Sequence, residues 1–60
     1  MYTLFANYNK YHRQNEIYTG KQLSTLETAV TEARAQLAGN GFYKSITIVL
    51  GNSDVQTVTR

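Results

Sequence analysis

One histidine, four carboxylates and three serines are the residues through which this 60-residue chain could do acid–base or nucleophilic chemistry. His12 has the ionisation range of a general base, and Ser45 and Ser53 carry hydroxyls that a base could activate. Such chemistry needs the groups within hydrogen-bond reach of one another. The spacing brings none of them together. Glu16 falls on a strand edge, Asp54 in a turn and Glu27 at the start of a helix. Glu32 falls on that helix's outer surface, two residues from Arg34, a separation that does not make helical neighbours. No catalytic residue is assigned, and a non-enzymatic chain is expected.

Metal and cofactor chemistry lacks its residues too. The sequence has no Cys and only one His, so neither a thiolate site nor a structural zinc site can be assembled within one chain. The glycines of "GNG" (39–41) and "GNSD" (51–54) form neither a phosphate-cradling loop nor a dinucleotide fingerprint. They read as a helix stop and a turn, and no cofactor or metal is expected.

Binding chemistry is better represented. "NKYHR" (9–13) gathers Lys10, Tyr11, His12 and Arg13 in a segment that reads as a hairpin loop. Lys44 and Arg60 could join it, with Tyr8, Tyr18 and Tyr43 interleaved. Backbone cations beside stacking rings are what single-strand nucleic-acid binders use. The net charge of only +2 and the acidic outer side of the helix argue against a dedicated duplex binder. Nucleic acid is therefore the alternative partner, and the same cations serve equally well as a solvated loop.

The elements that position these residues follow from periodicity. In "LSTLETAVTEARAQLAGNG" (23–41), Leu26, Ala29, Val30, Ala33 and Leu37 recur at the helical period. Ser24 and Glu27 have the spacing of a capping box, and Gly39 and Gly41 can end the helix; a helix over about 25–38 is predicted. "FYKSITIVL" alternates, with Phe42, Ile46, Ile48 and Leu50 on one face and Tyr43, Ser45, Thr47 and Val49 on the other. Strands are expected at about 2–8, 16–19, 43–50 and 55–59. "YTLFANY" carries apolar residues on both faces, so its buried side is ambiguous.

The whole reads as one α+β domain over 1–60, of order ββαββ, with the helix laid on one face of an antiparallel sheet. On this assignment Thr3, Phe5, Tyr43, Thr47 and Val49 share the face that the helix leaves uncovered. Exposed apolar patches of that kind mark association sites, and edge strands can pair with another chain. A chain of this size buries only about 60% of its unfolded surface, and a homo-oligomer would supply what its core lacks. The expected function is protein binding or regulation through that face or an edge strand, or a structural role in an assembly. No apolar run reaches membrane-spanning length and the start has no signal-peptide pattern, so cytoplasm is the expected location.

Overall fold

The computed structural model describes residues 1–8 and 13–60, without the side chains of Arg13 and Gln14. The elements follow in the order β1 (Tyr2–Asn7), β2 (Arg13–Ile17), α1 (Leu26–Gly39), β3 (Ser45–Leu50) and β4 (Ser53–Thr59). All strand pairs are antiparallel, and the sheet order is β2-β1-β3-β4. The expected ββαββ arrangement is therefore the one observed, with β1 and β3 in the middle. Strand β2 begins three residues earlier than the sequence pattern indicates, so Arg13 lies in the sheet. Lys10, Tyr11 and His12, the rest of the predicted basic loop, lie outside the described residues.

Register decides the face that periodicity left open. Leu4 pairs with Ile48 and Ala6 with Ile46, whereas Phe5 pairs with Thr47 and Thr3 with Val49. Antiparallel partners share a face, so one side of the central strands is aliphatic and the other largely polar. The helix takes the aliphatic side. Leu4, Ile46 and Ile48 are fully buried there, packed with Leu23, Ala29, Ala33, Leu37 and Val58. Alanines at 29 and 33 let the helix axis approach the sheet, because a methyl group needs little clearance.

The helix starts one residue later than the capping-box spacing indicates. Leu23 is buried, and its carbonyl accepts the Tyr2 N–H at 2.8 Å. That bond ties the segment before the helix to the start of β1 and holds it out of helical geometry. Thr25 is the cap instead of Ser24: its backbone is extended, and its hydroxyl accepts from the Thr28 N–H at 3.1 Å. At the other end neither Gly39 nor Gly41 takes positive φ; Asn40 leaves the helix in an extended conformation.

The same exit corrects the third strand. The Asn40 side-chain oxygen accepts the Phe42 N–H at 3.0 Å, and its carbonyl accepts the Tyr43 N–H at 3.3 Å. This turn breaks the alternation two residues before β3 begins. Phe42, expected inside, is 80% exposed. Tyr43, expected on the uncovered face, packs against the core from the helix side. Its ring meets that of Tyr8 edge-on, with centroids 5.6 Å apart.

Between β3 and β4 the turn is shorter than "GNSD". Leu50 pairs with Ser53, leaving a two-residue loop of Gly51 and Asn52. Gly51 has φ +63° and Asn52 does not have positive φ, the φ pattern of a type II′ turn, whose twist suits a hairpin.

Candidate protein-binding surfaces

Three surfaces carry the residues singled out by sequence: the uncovered sheet face, the two sheet edges and the scattered cations. On the uncovered face the register lines up Thr3, Phe5 and Asn7 of β1 against Val49, Thr47 and Ser45 of β3. Glu16 of β2 lies beside Phe5, and Asp54, Thr57 and Thr59 of β4 lie beside Val49, Thr47 and Ser45. Four of the five residues proposed for this face thus share it; Tyr43 does not.

The centre of this face has little surface to offer. Val49 is 5% exposed and Thr47 6%, although no helix lies above them. Both stand in β3, with β1 on one side and β4 on the other. Thr3 and Phe5 are half-buried. At one end a polar cluster closes on itself: the Asn7 amide nitrogen donates to Ser45 Oγ at 3.0 Å and to Thr47 Oγ1 at 2.9 Å. All three residues are buried. Paired like this they cost little to bury, and they give that end of the face a fixed, uncharged patch.

The two edges differ. β2 has five residues, includes Arg13 and Glu16, and is interrupted by a bulge opposite Ala6 and Asn7. Short length, charge and bulges are how natural edge strands resist pairing. β4 is the longer, with seven residues of which only Val58 is buried. Asp54 is its sole charged residue, and it has neither Lys nor Pro. Its bulge lies at Val55, near the hairpin turn, so Gln56, Thr57, Val58 and Thr59 run in regular register beyond it. Among the described residues, β4 is paired on one side, because it stands last in the sheet. Leu50 and Val55 are both partly exposed at its hairpin end.

The cations do not assemble into one surface among the described residues. Lys21 is bound to Glu32, Nζ to Oε1 at 3.0 Å. The Arg60 guanidinium is turned inward, Nε donating to the Tyr43 carbonyl at 2.7 Å and Nη2 to the Asn40 carbonyl. It thus satisfies carbonyls at the helix exit, where positive charge is favoured. Lys44 is exposed, and its backbone N–H donates to the Asn7 carbonyl at 2.8 Å. Arg34 borders a shallow groove of about 290 Å³ between α1 and β4, with Leu37, Ala38, Thr59 and Arg60.

Glu32 is the residue that sequence placed furthest from its position. It is buried, not on the outer helix surface. Its carboxylate receives Gln36 Nε2 and Lys21 Nζ, each at 3.0 Å. The Gln36 hydrogen bond first and the Lys21 hydrogen bond second hold its pKa below the usual carboxylate value, against the upward push of burial. The connection from β2 to α1 brings Lys21 over this flank of the helix, a contact with no trace in helical periodicity. No group of three or more His, Cys, Asp or Glu side chains among the described residues could hold a metal ion. No helix among them is long and apolar enough to cross a membrane.

Comparison with known protein families, with curated proteins and with solved structures finds no match for the chain.

Proposed function

We propose that this chain is a non-enzymatic protein-binding domain that takes an extended strand from a partner onto the free edge of β4. The observation that carries this reading is the contrast between the edges: β2 is short, carries two charged residues and is bulged within its five residues, whereas β4 is longer, carries one charged residue and runs in regular register from Gln56 to Thr59 beyond its bulge. Strand addition of this kind draws affinity from main-chain hydrogen bonds and selectivity from alternate side chains. The burial of Val49 and Thr47 favours the edge over the uncovered face, because a face that is already shielded gains little by being covered. The domain would act by occlusion or recruitment.

Selection from a displayed library of random extended heptapeptides tests the reading, with bound peptides mapped by amide chemical shifts. Binders should perturb the amides of residues 53–59 and slow their hydrogen exchange. Binders that perturb instead Thr3, Phe5 and Glu16, with β4 unchanged, would move the site to the uncovered face. A library that yields no binder at either place would refute the reading.

A further inference from the structure

We draw no further inference here: the strongest candidate, the open cavity of about 280 Å³ that Tyr2, Ile17, Tyr18, Lys21 and Leu23 line between the ends of β1 and β2 and the connection to α1, carries nothing, because Lys21 is already held by Glu32 and nothing in the structure shows what would occupy it.

Discussion

At the scale of single residues, the structure turns on polar side chains that sequence patterning treats as surface. Asn7, Ser45 and Thr47 form a buried cluster on the face away from the helix. Asn7→Ala leaves two hydroxyls without their donor and should lower stability by about 2 kcal/mol, measured by urea unfolding. Ser45→Ala, which removes only one acceptor, should cost less. Glu32 makes a pH-dependent contribution whose sign follows from its lowered pKa. The folded state holds the carboxylate ionised more firmly than the unfolded chain does. That stability is present above the ordinary carboxylate range and is lost as pH falls through it into the folded-state value. Urea midpoints taken from neutral to strongly acidic pH should decline for the unmodified chain, and Glu32→Gln should flatten the decline. None of these partners was legible in the sequence. Lys21 and Glu32 are eleven residues apart, and Asn7 and Ser45 are thirty-eight apart, so only the folded chain brings them together.

At the scale of elements, the reliable signals were those set by local chemistry. The stripe of Leu26, Ala29, Ala33 and Leu37 marks the helix, and alternation through Ile46 and Ile48 marks the central strand. Boundaries shifted wherever a tertiary bond intervened. Thr25 displaces Ser24 as cap because Leu23 is fastened to Tyr2. Accordingly Thr25→Ala should cost about 1 kcal/mol, while Ser24→Ala should change stability by less than about 0.5 kcal/mol. Tyr43 left its expected face because the Asn40 turn reset the alternation. The face of β1, ambiguous from sequence, is settled by its pairing with β3. Leu4→Lys should therefore unfold the chain, since it buries a charge in the core, whereas Phe5→Lys should leave a cooperative thermal transition by circular dichroism. Gly51 is the one position in the β3–β4 loop with a left-handed backbone, and a Cβ there meets nothing within 4 Å. Gly51→Ala should thus cost about 1–2 kcal/mol, from backbone conformation alone.

At the scale of the whole molecule, one helix covers one face of a four-stranded sheet and leaves two unequal edges. The sequence made the sheet and the possibility of edge pairing legible. It did not distinguish the edges, because strand order depends on which strand the chain inserts between its neighbours after the helix. The ranking of surfaces also depends on tertiary packing: Val49 reads as an exposed apolar residue by alternation and is almost fully shielded in the fold. The short aliphatic core gives a domain of this size only about 3–5 kcal/mol, so the strand that β4 accepts would contribute to stability as well as to recognition. Amide hydrogen exchange along residues 53–59, followed as an extended peptide selected for binding is added, tests the strand-addition reading most directly. β4 amides that face away from β3 should become protected in step with association, while those of the uncovered face near Thr3 and Phe5 keep their rates. Association that leaves β4 exchanging freely and protects the Thr3–Phe5 face would contradict it.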